Sequence, residues 1–183
     1  MIAHTHRLIG EFLFQQIPTT LRKQIDHNLF VNGNVKPDIV KQYRKMSHYY
    51  WDNEEYVFQI FKQLMTDPMS REEFSDLLGV LIHFLCDYTC IYHVNSYVYN
   101  RDSLRSHMQY EMKFHVYSRR RFPKIQKIDI IPFQRLEEVR AYVKTLVKRT
   151  NIPEAKPNVE NDFNEMVSLT LGVLFYVLNN RSF

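Results

Sequence analysis

The chain is poor both in residues that break helices and in residues that cross-link small secreted folds. Its 183 residues include only 4 Gly and 7 Pro. So few breakers argue against a sandwich or barrel of short strands joined by tight turns. The four glycines never form a phosphate-cradling run, which excludes Rossmann and P-loop nucleotide binding. The two cysteines, Cys86 and Cys90, sit four apart in an apolar stretch. That spacing suits reduced, buried thiols on one helix face and not an extracellular disulfide framework. Long hydrophobic runs are missing as well. The longest, Val167 to Leu178, is interrupted by Ser168, Thr170 and Gly172 and is too short to span a bilayer, so it reads as a buried helix. No basic segment followed by an apolar run opens the chain, so no signal peptide is visible and the expected location is cytoplasmic. The net charge of +4 permits weak attraction to phosphates or to an anionic membrane surface without demanding either.

What is present points to helices. Apolar residues make up 45% of the chain and aromatics 14%, enough for a core without covalent staples at this length. The apolar spacing predicts helices over about 5–16, 18–32, 54–65, 74–92, 103–118, 133–148 and 159–178, with a short helical turn opened by Pro37. Ser70 with Glu73 forms a capping box ahead of the 74–92 helix. No repeat, low-complexity tract or linker divides the chain. Residues 1–183 are therefore expected to form a single compact multi-helix domain, all-α in class.

The chemistry is carried by histidines and acids. The 74–92 helix is apolar nearly all round and belongs in the middle of a core, yet it carries His83 and Asp87 four apart on one face. A lone carboxylate there costs several kcal/mol or is forced to protonate. A divalent cation shared by the two side chains removes the difficulty; a plain buried His–Asp hydrogen bond is the alternative. His107 and Glu111 repeat the spacing on the next long helix, and His93 lies between the pairs. Two such pairs and an intervening His form a metal pattern. Antiparallel packing of the two helices would bring the ligands into one cleft. Imidazole and carboxylate donors without a required thiolate suit zinc better than calcium or an iron–sulfur cluster. The adjacent His-Asp pair of HD-type phosphohydrolases does not occur.

The series His83-x3-Asp87-x5-His93-x13-His107-x3-Glu111 resembles the core signature of the zinc-dependent phospholipase C family. Upstream, Gly33-Asn34-x2-Pro37-Asp38 followed by His48 is similar to that family's Gly-Asn-x-x-Pro-Asp segment with its following His, and His6 matches its first His. The resemblance runs from about residue 4 to residue 115 and implies an all-α domain of the phospholipase C and zinc nuclease type holding two or three zinc ions. By that resemblance Asp38, His48, His83 and Asp87 hold one zinc, with Asp87 bridging to a second. His93, His107 and Glu111 hold another, and His6 with Asp87 supplies part of the remaining site. Secreted members complete that site with a mature amino-terminal Trp. Here residue 1 is Met, and His4 is either its substitute or an ordinary surface histidine. Ile39 stands where choline-selective relatives carry an aromatic.

The implied activity is hydrolysis of a phospholipid or small phosphodiester by a metal-activated water, with Asp38 as ligand and proton acceptor. The substrate is thus the expected partner, with peripheral membrane contact as a further expectation. A zinc-dependent single-strand nuclease would carry a stacking pocket and a basic track, but the ligand spacing lies closer to the phospholipase side. A catalytically silent zinc scaffold is the third reading. Tyr49-Tyr50-Trp51 reads as core filling ahead of an aromatic wall for a quaternary ammonium. Arg119-Arg120-Arg121 reads as a solvated helix end ahead of a lipid-facing patch. His115 is expected to support the ligands from behind.

Overall fold

A computed structural model describes residues 1–44 and 46–181. Among these the chain forms twelve α-helices and one 3₁₀ turn, with no strand. The first six are α1 (Ala3–Gln16), α2 (Thr19–Arg22), α3 (His27–Gly33), α4 (Lys36–Ile39), α5 (Lys41–Arg44) and α6 (Tyr50–Thr66). The remainder are α7 (Arg71–Asp87), α8 (Ile91–Val94), α9 (Ser96–Arg101), α10 (Leu104–Arg121), α11 (Leu136–Thr150) and α12 (Val159–Asn180). The all-α expectation holds.

The long elements follow the apolar pattern, and side chains set their ends. The capping box at α7 is present in both directions, Ser70 Oγ accepting from Glu73 N–H and Glu73 accepting from Ser70 N–H. Ser103 caps α10 and Asn158 caps α12. The helix expected over 18–32 is instead two, because Asp26 accepts from Leu29 N–H at 2.9 Å and starts α3 afresh. The helix expected to reach residue 92 stops at Asp87. Ile91 N–H is taken by the Asp162 carboxylate at 2.9 Å, which opens α8 in a new direction and turns His93 back toward the interior.

Buried apolar side chains form one contiguous cluster, with Phe30, Phe61, Phe74, Phe84, Phe114 and Phe163 fully enclosed. Each such burial contributes about 1.5–3 kcal/mol, which offsets the cost of enclosing polar groups on α7. That helix is central, packing on α3, α6 and α12. The antiparallel α7–α10 packing expected from sequence is not how the ligands meet. The principal neighbours of α10 are α1 and α12, which each also pack on α7 and so join the two ligand-bearing helices.

Glycine decides one close approach. A Cβ on Gly79 would collide with the Phe30 carbonyl and lie 2.7 Å from Asn34 N; one on Gly33 would collide with the Asp76 carbonyl. Two bare Cα atoms thus let the end of α3 lie directly on α7. That contact brings Asn34 to His83.

Candidate metal centre

Six segments deliver the donors: His6 from α1, Asp38 from α4, His48 from the turn before α6, His83 and Asp87 from α7, His93 from α8, and His107 and Glu111 from α10. The structure gathers them into three groups: His6, His83 and Asp87; Asp38, His48 and His83; and His93, His107 and Glu111. Within each group the ligand atoms lie within 4.8 Å of one another. Asp87 Oδ2 stands 2.8 Å from His48 Nδ1 and 3.4 Å from His83 Nε2, while Oδ1 stands 3.3 Å from His6 Nε2. Asp38 Oδ1 lies 3.9 Å from both His48 Nδ1 and His83 Nε2. Glu111 Oε1 lies 3.1 Å from His93 Nε2 and 2.9 Å from His107 Nε2.

Backbone contacts set which nitrogen of the rings is free. His83 Nδ1 lies 2.9 Å from the Asn34 carbonyl, and His93 Nδ1 lies 3.1 Å from the His48 carbonyl. Each contact requires a proton on Nδ1, leaving a lone pair on Nε2 aimed at the cluster. The His93 lone pair then faces a carboxylate oxygen, and the His83 one faces His48 Nδ1 at 3.1 Å, whose proton the Asp87 carboxylate also claims at 2.8 Å. Other groups are poorly satisfied. Both ring nitrogens of His6, Asp38 Oδ2 and His107 Nε2 are buried without a well-formed hydrogen bond; His6 Nε2 and His107 Nε2 meet only the carboxylate oxygens named above. An interior rarely tolerates so many orphaned polar atoms. Divalent cations bound to N and O donors satisfy them together, so the residues fit zinc.

The electrostatics agree. Burial, and then the nearby His83, pushes His6 well below its ordinary pKa. Burial and then the Met1 ammonium lower His93. Both rings are thereby kept neutral, the form that binds metal. Burial resists ionisation of Asp87, yet the Met1 ammonium and surrounding imidazoles outweigh it and hold the carboxyl well below the usual range. Burial likewise opposes protonation of His48, but its hydrogen bond to Asp87 wins and raises it. Asp38 is raised by burial first, with His83 pulling the other way.

Outside this set, His4 is exposed on the first turn of α1 and belongs to none of the three groups. The amine of Met1 occupies the corner considered for it, touching Asp87 Oδ1 and lying 3.3 Å from Glu111 Oε1 and from His93 Nε2. Burial disfavours its charge, but Asp87 and Glu111 push its pKa up to about 12. His115 Nδ1 lies 3.1 Å from Thr5 Oγ1, joining α10 to the helix turn that carries His6. Cys86 and Cys90 are free and buried.

The aromatic triplet departs from the core-filling expectation. Only Tyr50 turns inward, onto Tyr88. Tyr49 stacks on Trp51 with centroids 5.1 Å apart, meets Tyr99 edge-on at 4.7 Å and lies 5.6 Å from the His93 ring. Tyr49, Tyr92, Tyr99, Asp102, Leu104 and His107 line a cleft of about 340 Å³. Three residues absent from the sequence reading of the site also matter. Asn34 gives its carbonyl to His83 and its amide to the His6 carbonyl at 2.7 Å; the Gly33-Asn34 motif was its signal. Tyr99 had none. Asp162 accepts from Ile91 N–H and from Tyr110 O–H at 2.6 Å, tying α8 to α10 behind the group of His93, His107 and Glu111; an isolated acid on an apolar helix face was the faint sign of it.

A bundle of helices enclosing convergent imidazoles and carboxylates defines a helical metalloprotein with a clustered centre. The family described as zinc dependent phospholipase C matches residues 5–174, and the chain belongs to that family. No curated protein and no solved structure matches it.

Proposed function

We propose that the protein hydrolyses a phosphodiester of the phospholipid class at this centre, with two or three zinc ions held by the residues above. The observation that carries this reading is the convergence of eight side chains from six segments, several with buried polar atoms that no protein group satisfies. His93, His107 and Glu111 form one holding group. Asp38, His48 and His83 form a second with Asp87 Oδ2, and His6 with Asp87 Oδ1 supplies part of a third, with His83 beside them. Bound zinc supplies Lewis acidity toward the phosphoryl oxygens and lowers the pKa of a coordinated water.

The chain's own residues do the rest. Asp38, less enclosed than Asp87 (side-chain exposure 18% against 0%), holds its carboxylate where the centre opens and takes the proton from the attacking water. Asp87 presents one oxygen to each of two groups and fixes their separation. Asn34 and the His48 carbonyl orient the rings of His83 and His93. Tyr49, Tyr99 and Tyr92 wall the approach with apolar faces, which suits an organic substituent on the phosphate better than inorganic phosphate alone.

The test is metal content of the purified protein, measured beside turnover of a chromogenic phosphocholine ester and of single-stranded DNA. The proposal expects zinc with ester hydrolysis. Hydrolysis of DNA alone makes the protein a nuclease, and zinc with neither activity makes the centre a structural one.

A further inference from the structure

The exposed face of α10, about 100° around the helix from its ligands, is unlike the rest of the molecular surface. Leu104, Met108, Met112 and Val116 recur at four-residue steps and are 74%, 61%, 53% and 40% exposed. At 1.5 Å per residue they form a stripe about 18 Å long. Large apolar side chains standing in water in a continuous row mark an interaction surface. The charged residues flanking them on that face are Arg105, Lys113, Arg119 and Arg120, all exposed. The helix's one acid, Glu111, points inward to the metal centre. Residues 101–127 hold eight Lys and Arg against two acids, while the rest of the chain has sixteen against eighteen. The basic excess of the whole protein is therefore concentrated on α10 and the segment that follows it.

Exposed aromatics extend the stripe at its amino-terminal end. Trp51 and Tyr99 are each 42% exposed and meet edge-on, and Leu104 and Tyr99 line the same cleft as His107. Apolar side chains, a cationic surround and amphipathic rings at the edge are what the interface of an anionic bilayer receives.

We propose that this face of α10, with Trp51 and Tyr99 beside it, seats the protein on an anionic lipid bilayer. Met108 and Met112 enter the headgroup–acyl boundary, the arginines and Lys113 meet lipid phosphates, and the cleft lined by His107 opens at headgroup level. Charge complementarity selects this occupant. A nucleic acid track has no use for a row of Leu and Met, and a second copy of the chain would bring two like-charged faces together. The choice of a lipid partner rests on the phosphodiesterase reading, but binding to vesicles is read without turnover, so the two fail separately.

Cosedimentation with phosphatidylcholine vesicles, with and without roughly 30% phosphatidylserine, tests it. The wild-type protein is expected to partition onto the anionic vesicles and to be released as salt rises well above about 0.1 M. Met108→Ser/Met112→Ser is expected to weaken partitioning about tenfold. Arg119→Gln/Arg120→Gln should weaken it about 25-fold, at about fivefold per cation. Zinc content and hydrolysis of a soluble phosphocholine ester should stay unchanged in both. The proposal is overturned if the wild type stays in the supernatant, or if either variant binds as the wild type does. It is equally overturned if sedimentation velocity shows a dimer that the Met variant dissolves, or if the Arg variant loses single-stranded DNA while keeping vesicles.

Discussion

Asp87 Oδ2 lies 2.8 Å from His48 Nδ1, across 39 residues of chain, and the same carboxylate's other oxygen faces His6. One buried acid thus joins α1, the turn before α6 and α7. In Asp87→Asn the charge that two groups share is gone. Zinc content, read by elemental analysis, is expected to fall by at least one ion, with activity down by about three orders of magnitude or more. Retention of full zinc and activity would remove Asp87 from its bridging role.

Asp38 should behave differently. It shares its group with His48 and His83 but is more open than Asp87. Asp38→Asn is expected to keep most of the zinc while kcat drops about 10²- to 10³-fold, the range of a lost proton acceptor. Zinc titration beside steady-state kinetics separates the two quantities.

Removal of zinc by a chelator should lower the melting temperature, because binding to the folded state alone stabilises it. Acid should act in the same direction. His6 and His93 have folded pKa values below their unfolded ones, so the native state binds fewer protons and loses stability as pH falls below about 6.5. Protons also compete with metal for the same nitrogens. Melting curves from pH 8 down to pH 5 should show a falling midpoint and zinc release together.

Asp162 predicts the opposite slope. Burial raises its pKa to about 7, with the Tyr110 and Ile91 hydrogen bonds opposing. A folded pKa above the unfolded value gives stability that is full below about pH 4 and lost as pH rises through 7. Asp162→Asn keeps an acceptor for both donors without the charge. Its stability relative to wild type is therefore expected to improve from pH 5 to about pH 7 and then to level off toward pH 8, by chemical denaturation. An unchanged difference across that range would refute the assignment.

Gly79→Ala tests the approach that sets Asn34 on His83. The added methyl meets the Phe30 carbonyl and Asn34 N, so the helices must part. A loss of about 1–3 kcal/mol is expected, together with weaker zinc binding. A surface control such as Gln59→Ala should change neither.

Much of the fold was legible because α1, α6, α7, α10, α11 and α12 advertise themselves by apolar period and caps. Ligand identities could be read because i, i+4 spacing on α7 and α10 is a local property of a helix. What could not be read was set by contacts between distant residues. Asp162 lies 71 residues from Ile91, yet it holds the N–H that opens α8, the helix that carries His93. Asp26 divides a helix whose apolar pattern looks continuous. The fate of Tyr49 and Trp51 depended on Tyr99, 50 and 48 residues away, and no periodicity links them.

The most direct test of the centre is an anomalous difference map at the zinc edge from a crystal of the protein. The account predicts separate peaks, one among His93, His107 and Glu111 and at least one more against Asp87 with His83 and His48 or His6. Anomalous density confined to surface histidines such as His27, with these side chains bonded only to one another, would contradict it.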